Sequence, residues 1–135
     1  MNRRTLLRTL TAALLAGPTP SVLNAATSKG SPMLIVTVEV EFEDAGIHEK
    51  LAEIQAMDAA TVEEPGCLAY RSSFDVTNPN LLRIYEMWES MEALTPHFQT
   101  THMAKFQAAL SGLNTKGMTA KVYEVAQELP FPNAG

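Results

Sequence analysis

Apolar residues take every second position of MLIVTVEVEF (33 to 42): Leu34, Val36, Val38, Val40 and Phe42 lie on one side, Ile35, Thr37, Glu39 and Glu41 on the other. This period of two predicts a strand with one buried face. Behind Asp44, an N-cap candidate, Ile47, Leu51, Ile54 and Met57 or Asp58 recur at helical spacing until Pro65 and Gly66 stop the helix. Alternation resumes in CLAYRSSFDV (67 to 76) and, beyond the turn residues TNPN (77 to 80), in LLRIYEMWE (81 to 89), which together predict a hairpin. Tyr70 is expected to share a face with Leu68 and Phe74, and Glu86 and Trp88 to share one with Leu82 and Ile84. Ser90 caps a second helical region. Pro96 interrupts its period, so Thr95 and Thr101 are each expected to recap the chain, the last piece carrying Met103, Phe106, Leu110 and Leu113 on one stripe. MTAKVYEV (118 to 125) reads as a final strand.

The order strand, helix, strand, strand, helix, strand defines an α+β class, a ferredoxin-like βαββαβ antiparallel sheet with its helices on one face. The other face carries Ile35, Tyr85 and Met87, too apolar to stand in water across its width. A homodimer through that sheet face is therefore expected. Arg71 and Arg83 belong to the same face, as partners for Glu39 or Glu41 across the sheet or dimer.

The N-terminus follows different rules. MNRRTLLR holds three positive charges and no acid, and the apolar TLTAALLAG after it is far shorter than the ~20 residues of a membrane span. It reads as an export signal ending near Ala25 and Ala26, and Arg3-Arg4 resembles the twin-arginine type. The expected partition is a signal at 1–26, a linker at 27–32, one domain at 33–126 and a tail at 127–135, the mature protein being periplasmic or secreted and free of the membrane. The chain of 135 residues carries a formal charge of −5, and the signal removes three arginines and no acids. So acidic a body is not expected to hold nucleic acid or an anionic membrane by charge. Cys67 is the single cysteine, which excludes an internal disulfide and a cysteine-built metal site. No glycine-rich phosphate loop, dinucleotide fingerprint or nucleophile elbow is present.

Candidate chemistry gathers in YEMWESMEALTPHFQTTHMAKF (85 to 106), which holds the only tryptophan and two of the three histidines. Glu86 is a carboxylate among apolar neighbours, and burial would raise its proton affinity unless a histidine pairs with it. Trp88 is either a core anchor or a flat wall for an aromatic ring. His97 and His102, five residues apart, would diverge by about 140° on one continuous helix, but a recap at Thr101 brings both toward one cleft. They lack the i,i+4 spacing of a helical zinc pair, and His48 lies beside Glu49 and Lys50 on a solvated surface, so no metal is expected.

With EEPGCLAY (63 to 70), YEMWES (85 to 90) and EALTPHFQTTHMAKF (92 to 106), the chain resembles the antibiotic biosynthesis monooxygenase family from about Met33 to about Val125, most closely its quinol monooxygenase branch. The resemblance implies a dimeric α+β barrel and oxygenation of a small electron-rich aromatic, a quinol or phenol, by molecular oxygen with no cofactor. It is less similar to the haem-degrading members of the fold, because Gln107 stands where their haem-ligating histidine would be. The expected site comprises His97 or His102 as base, Glu86 as its orienting partner, Trp88 as stacking wall, Tyr70 as hydrogen-bond donor and Phe106 in the substrate pocket. Two other functions are compatible with the same residues: isomerisation of a small carbonyl compound, as in the autoinducer-processing branch, and non-catalytic small-molecule binding by the dimer.

Overall fold

The computed structural model describes residues 30 to 133; the expected signal, the first half of the linker and the last two residues of the tail lie outside the described residues. Four strands, β1 (Leu34–Phe42), β2 (Cys67–Phe74), β3 (Leu81–Trp88) and β4 (Thr115–Glu124), form one sheet in the order β2-β3-β1-β4 with every neighbouring pair antiparallel. A 3-10 turn (Ala45–Lys50) leads into α1 (Leu51–Thr61), and α2 (Met91–His97) and α3 (Thr101–Leu110) occupy the second crossover. This is the ferredoxin-like α+β arrangement expected from the alternation of periods. No helix among the described residues is long and apolar enough to cross a membrane.

The inner sheet face is set by β1 and β3. Leu82, Ile84, Glu86 and Trp88 are buried along β3, opposite Val40, Val38, Val36 and Leu34 of β1. Ile47, Ile54 and Met57 pack on this layer, whereas Leu51 is exposed because the chain before it winds as a 3-10 turn and shifts the helical stripe. Asp44 caps that turn, its carboxylate accepting from the Gly46 amide at 2.8 Å. Asp58 ties α1 to β2 by accepting from the Ser72 amide at 2.9 Å and the Ser72 hydroxyl at 2.6 Å.

Three local expectations are corrected. A register shift between Cys67 and Ala69 leaves Leu68 as the unpaired residue of a bulge and exposes it, so Tyr70 shares its inward face with Ser72 and Phe74, not with Leu68. Thr95 does not recap the chain: its hydroxyl donates to the Met91 carbonyl at 2.8 Å, and α2 continues through Pro96 to His97. Pro96 is tolerated because it stands in the last turn, where its missing amide removes one bond from a helix about to end. The recap falls on Thr100, one residue before the expected Thr101, with the Thr100 hydroxyl accepting from the Met103 amide at 3.2 Å.

On the outer face Arg83 pairs with Glu39, as expected, and also with Asp75 at 3.0 Å. Arg71 does not join them; it donates to the Tyr70 carbonyl at 3.2 Å. Asp75 organises the hairpin turn, accepting from the Thr77 hydroxyl at 2.6 Å and from the amides of Thr77 and Asn78. The Thr77 hydroxyl, these amides and Arg83 together hold its carboxyl down at about 2.

Candidate active site

Glu86 lies on the inner strand β3, with Val36 beside it on β1 and Tyr70 beside it on β2. A position so central is covered by the helices, and Glu86 is only 4% exposed. Trp88, two residues along and therefore on the same face, donates its Nε1–H to Glu86 Oε2 at 2.8 Å. Burial pushes the Glu86 carboxyl above its ordinary range and a nearby Glu64 adds to this, against the Trp88 hydrogen bond and the His97 ring, which favour the carboxylate. The Tyr70 phenol is pushed far up, first by burial and then by the Glu86 charge across the ladder.

Between sheet and helices lies a cavity of about 360 Å³. Val38, Val40, Ile84, Phe98 and Phe106 make its apolar walls, and Tyr70 and Glu86 are polar groups on its sheet side. A volume of this size accommodates one small aromatic ring system. Of the residues singled out in the sequence, Tyr70, Glu86 and Phe106 line this cavity; Trp88, His97 and His102 do not, and Trp88 instead lies fully buried behind Glu86.

The histidines do converge, but on a residue that sequence reasoning had not assigned to the site. Glu64 Oε1 lies 2.8 Å from His97 Nδ1 and 2.5 Å from His102 Nε2. The carboxylate bonded to both imidazoles is thus Glu64, whereas Glu86 accepts from Trp88. The short break between α2 and α3 turns the two imidazoles to one side, while the turn after α1 delivers Glu64. Gly66 lets that turn press against α2: its φ is 81°, and a Cβ there would stand 2.4 Å from that of Ala93. The usable signal was the EEPG stretch itself, an acid immediately before a stop that had to be placed near α2. His97 is fully buried between Trp88 and Tyr70, with ring centroids 5.1 and 5.6 Å away, and its Nε2 is buried without a hydrogen-bond partner. Among the described residues, Glu64, His97 and His102 form a group that could hold a metal ion, one donor atom from each lying within 4.8 Å of the others.

The fold and cavity define a small α+β domain with a largely apolar, solvent-open pocket between a four-stranded sheet and its helices. The family model described as antibiotic biosynthesis monooxygenase matches residues 33–109, and the chain belongs to that family. Membership carries a monooxygenase-like function at the level of the family. A protein of Deinococcus radiodurans provisionally named for the same family superposes with a TM-score of 0.67 at 22% identity, over 74% of this chain and 99% of that one. A Bacteroides thetaiotaomicron protein of unknown function gives a TM-score of 0.63 at 23% identity, over 71% of this chain and 100% of the other. An uncharacterized protein of Synechocystis is 27% identical over 110 residues, 82% of this chain and 74% of its own length. At these identities the structural likenesses speak for the fold alone.

Proposed function

We propose that the protein oxygenates a small electron-rich aromatic, a quinol or phenol, with molecular oxygen and without a bound cofactor. The observation that supports this most directly is the apolar cavity of about 360 Å³ whose sheet side presents Tyr70 and Glu86 together. A phenol with a pKa near ~10 gives up its proton to an ordinary carboxylate only with difficulty. Burial of Glu86 raises its basicity and narrows the gap, and the Tyr70 hydroxyl, itself far too weak an acid to ionise, stabilises the phenolate by donating a hydrogen bond. Trp88 fixes the carboxylate, His97 places a ring that favours its ionised form behind it, and His102 restrains Glu64, which orients His97. Phe106 forms part of the wall. The quinolate then supplies the electrons: one oxygen atom is inserted at a ring carbon, the other leaves as water, and a hydroquinone becomes a hydroxyquinone, so atoms and electrons balance with no external reductant.

The test is oxygen uptake with a menadiol-type quinol. One oxygen consumed per quinol, isotopic label from the gas in the product, and a loss of about 100-fold in kcat for Tyr70→Phe are expected. Uptake no faster than the spontaneous rate, or hydrogen peroxide in place of labelled product, would overturn the reading.

The dimer is proposed on the outer sheet face. Tyr85 and Tyr123 are 40% and 50% exposed there, flanking a concavity formed with Thr37, Glu39, Arg83 and Lys121. Sedimentation should report a dimer that Tyr85→Glu converts to monomer; a monomeric parent at high concentration refutes it.

A further inference from the structure

We propose that Glu64, His97 and His102 form a binding site for one divalent first-row transition-metal ion. The turn after α1 and the α2–α3 region, more than thirty residues apart, bring one carboxylate oxygen and two imidazole nitrogens together, with all three donors within 4.8 Å. Two nitrogens and one carboxylate oxygen suit zinc, iron(II) or cobalt(II), and are a poor set for magnesium or calcium, which take oxygen.

The distances are close to what an ion requires. Metal bonds of ~2.0–2.2 Å to nitrogen and oxygen put neighbouring donors roughly 3 Å apart, and here His97 Nδ1 and His102 Nε2 stand 2.8 and 2.5 Å from Glu64 Oε1. An ion therefore needs the Glu64 oxygen to draw back from each imidazole nitrogen by less than about 1 Å. The groups that would move are those free to do so: the His97 side chain is fully buried, while those of Glu64 and His102 are 11% and 24% exposed. The same asymmetry gives one anchored ligand and an accessible side on which water or a further ligand completes the coordination. Entry on that side is favoured electrostatically, since Glu64 borders a surface cavity of about 360 Å³ that also includes Glu89 and Glu92. Without an ion the carboxylate holds the two rings by hydrogen bonds, so the site is assembled before any metal arrives.

This site does not depend on the oxygenation reading. Its donors stand outside the lining of the cavity that Tyr70 and Glu86 share, and the experiment reads the metal itself. Chelator-treated protein is titrated with Co2+, followed by visible absorption, and with Zn2+ in competition. One ion per chain and a ligand-field band are expected, with affinity reduced at least ~100-fold in His102→Gln and in Glu64→Gln, and unchanged in His48→Gln. Far-UV circular dichroism and melting establish that the variants are folded, and either folded variant suffices. Absence of a cobalt band in the parent protein, or a band that persists at full affinity in a folded His102→Gln or Glu64→Gln variant, overturns the site and leaves a hydrogen-bonded triad.

Discussion

Trp88→Ala is expected to lower the free energy of unfolding by about 3–5 kcal/mol, the largest loss from any single side chain considered. The indole is fully buried and packs with Leu34, Val36 and Leu94 at the end of the sheet where α2 closes over it. Truncation removes that packing and leaves a cavity which the surrounding strands can fill only in part. It also withdraws the Nε1–H from Glu86, stranding a carboxylate that is itself only 4% exposed. Trp88→Phe separates the two losses: most of the apolar volume remains and the hydrogen bond does not, so about 1–3 kcal/mol is expected from the unpaired acceptor together with imperfect packing. Because Trp88 is the only tryptophan, both variants are followed by far-UV circular dichroism in urea. A loss under about 1 kcal/mol for the alanine variant would show that the indole is not an anchor of this core.

The sheet was legible because one face of β3 is buried without interruption and the same face of β1 is buried at Leu34, Val36 and Phe42 and partly covered at Val38 and Val40, and burial of one face is what a period of two records. Asp44 and Ser90 were legible because their side chains cap the next turn locally, Ser90 accepting from the Ala93 amide at 3.1 Å. Leu68 was misplaced because a bulge adds one residue without changing composition, and parity counted from Tyr70 and Phe74 does not carry back across it. Thr95 misled for a related reason: the side chain that caps a helix from outside can, one turn in, bond to the carbonyl four residues back, and only the path of the chain decides between them. The gathering of Glu86, Trp88 and Tyr70 could be read from strand parity and hairpin pairing. Glu64 could not, since it reaches His97 and His102 across more than thirty residues through a turn whose direction depends on the packing of Gly66 against Ala93. β4 was legible as a strand, but its surroundings were not. It alternates as though one face were covered, yet all ten of its residues are exposed, including Met118 and Val122.

Glu86→Gln is expected to move stability and activity in opposite directions. The amide is nearly isosteric, and its oxygen still accepts the Trp88 Nε1–H, so the local structure is kept. What disappears is the titration. Burial holds the native Glu86 carboxyl above the value of about 4.3 that it has in an unfolded chain. Below that value both states are protonated and the parent protein has its full stability. As pH rises, the unfolded chain ionises first, the native state becomes relatively less favourable, and the loss continues until pH passes the raised native value. Each unit of elevation corresponds to about 1.4 kcal/mol. The glutamine variant lacks this loss, so its stability relative to the parent should grow from pH 4 to pH 8, measured as the difference between urea midpoints across that range. Turnover should behave otherwise. If Glu86 accepts the substrate proton, the variant loses about 100-fold or more in kcat at every pH, because an amide cannot act as a base. A glutamine variant that is uniformly less stable than the parent, with no trend in pH, would show that the native carboxylate is stabilised by its neighbours; one that keeps full kcat would move the base elsewhere in the pocket.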